Sequence, residues 1–285
     1  MKVAFLGTGL MGGLMAQRLI YKGFELRVWN RTVSKTDILK SKGAKIAPNP
    51  TAAIDESDTI ITMLSDFNAV SSVLGNRKNS FQGKTVIQMC TIAPGESKLL
   101  LDKVIKLSGE YIESPVLGGI SNIPDGKLIP MVGSSNEQFN KWKDFLGNFG
   151  KPVHYMGEVG KGAAAKLACN QLIAGLVTSF AMSLGYVESQ GIDTEEFMSI
   201  IRPSSYYAPA FDRKLESMLK RDYSTTNFSL KNLLKDASLA LHEFSESGVN
   251  IITLEAIQKL LTRSVNSNLG DLDYAALYNV VFPER

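Results

Sequence analysis

The chain has 285 residues, 44% hydrophobic and 21% charged, with a formal net charge of +3. That length and apolar content build one large or two ordinary domains with real cores, which excludes a disordered chain. The basic residues are dispersed rather than blocked, which argues against a nucleic-acid partner and leaves an anionic small molecule welcome. The cysteines, Cys90 and Cys169, and the histidines, His154 and His242, are too few and too scattered for a disulfide framework or a metal cluster. No metal is therefore expected, and a reducing, cytoplasmic compartment is.

Lys2–Leu6 is a short apolar run suited to a buried strand. Gly7-Thr8-Gly9-Leu10-Met11-Gly12 follows directly and opens a helical pattern that runs to about Tyr21. In strand, glycine turn and helix order, this spacing suits a dinucleotide: Gly7 allows the tight turn, Gly9 lets a pyrophosphate approach the backbone, and Gly12 lets helix and strand pack closely. The anion would sit on the open N–H groups and positive dipole end of the helix starting near Leu10. A secretory signal is the rival reading, but one basic residue precedes the apolar run and the glycines fall at the phosphate-loop spacing.

Phe24–Trp29 reads as the second strand, closed by Asn30-Arg31-Thr32. About 20 residues past the glycines an acid would hold the ribose 2′-hydroxyl of NAD. Here the acid is missing: Asn30 removes the repelling charge and Arg31 offers a guanidinium to a 2′-phosphate, so the sequence favours NADP/NADPH.

Ser34–Ser41 reads as a short helix, Ala44–Ala47 as a strand, and Pro50–Glu56 as a helix. Asp58–Leu64 suits a central parallel strand, and a helix through Leu74 follows. Ligands of an open α/β sheet lie beyond the carboxyl ends of its strands, which makes Met63, Leu64 and Ser65 candidate cofactor walls. Lys84–Met89 repeats the strand pattern and ends at Thr91, on the ligand side, before a helix over Gly95–Leu107. Tyr111–Glu113 is a further strand. Ser114–Gly119 reads as a turn whose tandem Gly118 and Gly119 free backbone N–H groups for an anion. Strands at Pro130–Val132 and Val153–Tyr155 flank a helix at Asn136–Phe145.

The alternation then stops. Residues 159–285 read as helical, giving a dinucleotide-binding domain over 1–158 followed by a helical domain. From Gly160 about 27 residues carry no break signal, a single helix of roughly 40 Å. Leu172–Val187 is apolar nearly all round, but Gln171, Thr178, Ser179 and Ser183 interrupt it, which favours a core helix over a membrane span. An apolar face too large for one helical domain to cover would favour a homodimer or homotetramer. Helices at Thr194–Arg202, Pro209–Lys220, Ser229–Glu246, Leu254–Ser267 and Tyr274–Val281 complete the chain.

Lys166 and Asn170, four residues apart, share one face of the long helix near its start. Hydride transfer to a carbonyl needs a proton for the oxygen, and Lys166 is placed to supply it while Asn170 orients lysine or substrate. On these two residues alone, a capping lysine and a solvated asparagine at a helix end explain the pattern better.

Together these motifs resemble the β-hydroxyacid dehydrogenase family over essentially the whole length. The resemblance is carried by GTGLMGGLMAQRL, WNRT, TIAP at Thr91, SPVLGG at Ser114, GEVGKGAAAKLACN, and FSLKNLLKDASLAL from Phe228. It implies a Rossmann-type doubly wound sheet followed by an all-α domain joined through a long interdomain helix. It implies Lys166 as the catalytic lysine, Asn170 as its partner, and Gly118 and Gly119 as the cradle of a substrate carboxylate. Thr91 would touch the nicotinamide ribose or substrate, Lys235 would reach the cofactor and Asp236 the substrate. WNRT looks like the version in NADPH-using semialdehyde reductases. The chain departs from the family at Leu117, where Ser is usual, exchanging a hydroxyl for an isobutyl wall that weakens binding of small hydroxylated acids by ~1–3 kcal/mol. Cys90, too, stands where Ser is common.

The expectation is an NADPH-dependent reductase of small aldehydes or keto acids, running reversibly as a hydroxyacid dehydrogenase. An imine reductase shares the two-domain plan but generally replaces the lysine by another acid. 6-Phosphogluconate dehydrogenase carries a His beside the Asn, where this chain has Cys169. A non-catalytic NADPH-binding sensor or scaffold is the remaining alternative, against which the retention of Lys166 and Asn170 speaks.

Overall fold

The computed structural model describes residues 1–75 and 80–284, in two compact units, Met1–Lys166 and Leu167–Arg285. The first is built on strands β1 (Lys2–Leu6), β2 (Glu25–Trp29), β3 (Lys45–Ile46), β4 (Thr59–Thr62), β5 (Thr85–Gln88), β6 (Glu110–Glu113), β7 (Val116–Leu117), β8 (Ile129–Gly133) and β9 (His154–Gly157). They form one sheet in the order β3-β2-β1-β4-β5-β6-β8-β7, with β9 pairing β8. Pairings from β3 to β6 are parallel, whereas β8 runs antiparallel to β6 and β7. The order reverses between β1 and β4, the switch point of a doubly wound sheet, so the expected Rossmann-type fold is present.

Helices α1 (Leu10–Tyr21), α2 (Asp37–Ser41), α3 (Pro50–Asp55), α4 (Phe67–Gly75), α5 (Pro94–Lys106) and α6 (Asn136–Leu146) cross between the strands. Their apolar stripes form a separate core on each face of the sheet, one around Phe5, Leu19 and Phe149 and the other around Ile60, Phe81 and Tyr111. A strand covered on both faces needs apolar residues at successive positions, which is why Thr-Ile-Ile-Thr of β4 is buried throughout.

In the first unit, two stretches differ from the expected elements. The segment read as a helix from Ser34 begins as a 3₁₀ turn over Val33–Thr36 and becomes α-helical only at Asp37. The segment read as a turn over Ser114–Gly119 contains β7, because Val116 and Leu117 pair with Pro130 and Ile129.

Helix α7 (Lys161–Ser189) is one unbroken helix that joins the two units. The two compact units divide inside it, after Lys166. Its first turn is held by a sheet residue described below, while Leu167, Ala174, Val177, Ala181 and Leu184 belong to the helical core. Among the described residues α7 is the one helix long and apolar enough to cross a membrane, and 44% of its most apolar window is buried inside the protein.

The second unit packs α8 (Thr194–Ile201), α9 (Pro209–Leu219), α10 (Leu230–Glu246), α11 (Ile252–Ser264) and α12 (Tyr278–Val281) around the rest of α7. The helix expected to reach Ser267 ends at Ser264. A distorted turn over Val265–Leu269 follows, with Asn268 in the left-handed region (φ +61°), which an Asn tolerates better than most residues. Phe180 stacks on Phe211 with ring centroids 4.6 Å apart. A buried ion pair, Lys214 Nζ to Asp273 Oδ1 at 2.7 Å, ties α9 to the turn before α12. Asp273 also accepts from the N–H groups of Ala275 and Asn227 at 3.0 Å, so its charge is compensated by several donors.

Candidate active site

The glycine turn has the backbone geometry its spacing calls for. Gly7 has φ +100°, and a Cβ there would run into Met63 O and lie 2.8 Å from Leu64 Cδ2. At Gly12 a Cβ would collide with the Gly7 carbonyl and come within 3.3 Å of the Phe5 ring, which is the close approach of helix to strand. At Gly9 it would meet nothing within 4 Å. The turn is thus closed against the protein at Gly7 and Gly12 and open at Gly9. No side chain caps α1 and its first turn carries no acid, so nothing repels an anion at the exposed backbone there. These residues fit a dinucleotide diphosphate, with Thr8, Leu10 and Met11 around it.

At the end of β2, Asn30 does more than remove a charge. Its Oδ1 accepts from the Thr8 N–H at 3.1 Å and its Nδ2 donates to Thr32 O at 2.9 Å. The Thr8 hydroxyl donates to Lys35 O at 3.0 Å, so Asn30 and Thr8 lock the turn to the segment after β2. Arg31 and Thr32 are exposed beside a cavity of about 190 Å³ lined in part by Trp29, Asn30, Val33 and Pro48. No acid stands among Asn30, Arg31 and Thr32.

Met63 and Leu64 follow β4 and abut Gly7, whereas Ser65 is exposed and donates to Asp66 Oδ2 at 2.7 Å. Asp66 also caps α4 by accepting from the Ala69 N–H at 2.8 Å. Thr91 is half-buried after β5, next to Cys90, whose carbonyl accepts from Gln88 Nε2 at 2.8 Å.

The tandem glycines are not two open donors. Gly118 sits in the left-handed region (φ +126°) as a turn requires, but the Gly119 N–H donates to Asn122 Oδ1 at 2.9 Å. Asn122 ends the 3₁₀ turn Ile120–Asn122 and reaches back over its start. The expected anion cradle therefore has a side-chain oxygen already on one of its N–H groups, with the half-buried Leu117 beside it.

Glu113, at the end of β6, is fully buried. Its Oε1 accepts from the N–H groups of Gly160 and Gly162 at 2.8 Å and Ala163 at 3.1 Å, the open donors at the start of α7. Burial pushes its carboxyl above the usual carboxylate range, against the opposing pull of Ser97 and these three amides. Sequence reasoning missed this residue. The available signal was a carboxylate closing an otherwise apolar strand, with the glycines of Gly157–Gly162 further along the chain.

In the second turn of α7, Lys166 is half-buried, and Asn170 lies one turn further on the same face, buried. Asn170 Nδ2 donates to Asp236 Oδ2 on α10 at 2.5 Å, and Lys235 Nζ lies 2.6 Å from Asp236 Oδ1. Asn170, Lys235 and Asp236, chosen separately from the sequence, thus form one cluster in the helical unit. That contact fixes the Asn170 carboxamide through its nitrogen.

Residues 2–157 match the NAD binding domain of 6-phosphogluconate dehydrogenase, and residues 160–281 match the NAD-binding domain of NADP-dependent 3-hydroxyisobutyrate dehydrogenase. Glyoxylate/succinic semialdehyde reductase 1 of Arabidopsis thaliana is 32% identical over 285 residues, covering 99% of this chain and 98% of that protein. The chain belongs to the β-hydroxyacid dehydrogenase family. A second β-hydroxyacid dehydrogenase relative, 2-hydroxy-3-oxopropionate reductase of Escherichia coli, is 30% identical over 97% of this chain and 96% of its own. The fold of the family is shared with 3-hydroxyisobutyrate dehydrogenase of Salmonella typhimurium at a TM-score of 0.88, with 19% identity over 98% of this chain and 99% of that one.

Proposed function

We propose that this chain is an NADPH-dependent reductase of small carboxylate-bearing aldehydes or keto acids, working reversibly as a hydroxyacid dehydrogenase. One observation carries the reading: a glycine turn closed at Gly7 and Gly12 and open at Gly9, in a chain that holds Lys166 one helical turn before an Asn170 anchored by Asp236. When bound, the nicotinamide supplies the hydride. The chain does the rest. The α1 N-terminus holds the diphosphate, and Arg31 pairs with the 2′-phosphate. Met63, Leu64, Ser65 and Thr91 would line the cofactor. Lys166 Nζ gives its proton to the carbonyl oxygen on reduction and takes it back on oxidation, while the Asn170 oxygen steers the ammonium or the substrate hydroxyl.

The names of the relatives support the substrate class, since they include reductases of glyoxylate, succinic semialdehyde and 2-hydroxy-3-oxopropionate. The same reading includes a cytoplasmic, homo-oligomeric protein. Cys90 and Cys169 are free thiols, which suits a reducing compartment, and exposed apolar residues along α7 suit burial against a second copy.

The experiment is NADPH oxidation with glyoxylate, succinic semialdehyde and tartronate semialdehyde, repeated with Lys166→Ala. Turnover with at least one of them and a ~10²–10⁴-fold lower kcat in the variant, at little-changed NADPH affinity, is the expected result. Near wild-type turnover in the variant removes the lysine from the mechanism; no turnover with any carbonyl removes the reductase.

A further inference from the structure

The carboxamide of Asn122 touches the Gly118-Gly119 pair from the side on which an anion would approach. Its Oδ1 accepts from the Gly119 N–H at 2.9 Å and would stand 3.3 Å from a Cβ at Gly118. An amide carries donors as well as an acceptor, and among the described residues Asn122 Nδ2 has no protein acceptor. The side chain is half-buried, and the Leu117 side chain nearby in sequence carries no hydrogen-bond donor. A carboxylate that takes the Gly119 N–H must displace Oδ1. Rotation of the amide then presents Nδ2 to the carboxylate from the same place.

We propose that Asn122 is a substrate-binding and specificity-determining residue: its oxygen caps Gly119 while the site is empty, and its NH₂ donates to the substrate carboxylate once that group sits on the tandem glycines. This rests on the reductase reading for its substrate but not for its chemistry, which is carboxylate recognition by two neighbouring donors. A residue that only caps the 3₁₀ turn would affect all substrates alike. A carboxylate donor separates charged from uncharged ones.

The test uses a matched pair of aldehydes, succinic semialdehyde and its uncharged analogue butanal, with NADPH and wild type, Asn122→Asp and Asn122→Ala. Titration of succinate into the NADP⁺-loaded protein by calorimetry accompanies it. Asn122→Asp keeps an acceptor for the Gly119 N–H, so the turn stays capped, but it removes the donors and adds a like charge. The kcat/KM ratio of charged to uncharged aldehyde should fall about tenfold or more, through KM, and succinate affinity should fall with it. Asn122→Ala, which loses the donors but opens the N–H, should lower the ratio less. An equal loss on both aldehydes, no change in the ratio, or a succinate affinity unmoved by Asn122→Asp overturns the proposal. If wild type reduces neither aldehyde, the reductase reading is decided by the other carbonyls named above, and the succinate titration alone decides the role of Asn122.

Discussion

Gly162 donates its N–H to Glu113 Oε1 at 2.8 Å, and a Cβ on Gly162 would stand 3.1 Å from that same oxygen. A buried carboxylate and a glycine thus seat the start of α7 on the end of β6, about one turn before Lys166. Because burial raises the Glu113 pKa above 4.5 in the folded chain, the native state holds that proton to a higher pH than the unfolded one. The stability it contributes is full below pH 4.5 and is lost as pH rises through the elevated value. Thermal melts of wild type and Glu113→Gln from pH 4 upward should show wild type losing ground to the variant across that window. A wild-type advantage that grows with pH contradicts the raised pKa.

Gly9 and Gly12 separate the cofactor role of the turn from its packing role. Gly12→Ala puts a methyl onto the Gly7 carbonyl and should cost ~1–3 kcal/mol of stability, read as a lower melting temperature. Gly9→Ala meets no protein atom and should melt like wild type while losing most affinity for the dinucleotide, because its methyl takes the space the pyrophosphate needs. A Gly9→Ala protein that binds NADPH normally would show that the turn is only a corner of the fold.

Arg31 is the test of cofactor choice. If its exposed guanidinium pairs with the 2′-phosphate, Arg31→Ala should raise the KM for NADPH about ten- to a hundredfold and spare that for NADH, since only one of them carries the phosphate. An equal change for both cofactors rules the contact out.

Leu172, 61% exposed, and Tyr186, 66% exposed, lie on one face of α7 with Leu176, Ser179 and Ser183. A second copy packed there would be driven off by charge. Sedimentation velocity should give an oligomer for wild type and a monomer for the Leu172→Asp, Leu176→Asp double variant. A wild-type monomer ends that assignment.

Much of this was legible in one dimension. The glycine spacing at Gly7, Gly9 and Gly12, the buried β-branched strands such as Thr59–Thr62, and the unbroken run of α7 are local patterns, because backbone conformation and periodic burial are written in residues a few positions apart. Lys166 and Asn170 could be paired for the same reason, a four-residue spacing on a helix. Three contacts could not be read that way: Glu113 on the amides of Gly160, Gly162 and Ala163, Asn170 on Asp236, and Asn122 on Gly119. The first two join residues far apart in sequence, and the third turns on which way one short side chain rotates. Each is selected by packing that buries a polar group until it finds a partner, and that selection exists only once the elements have come together.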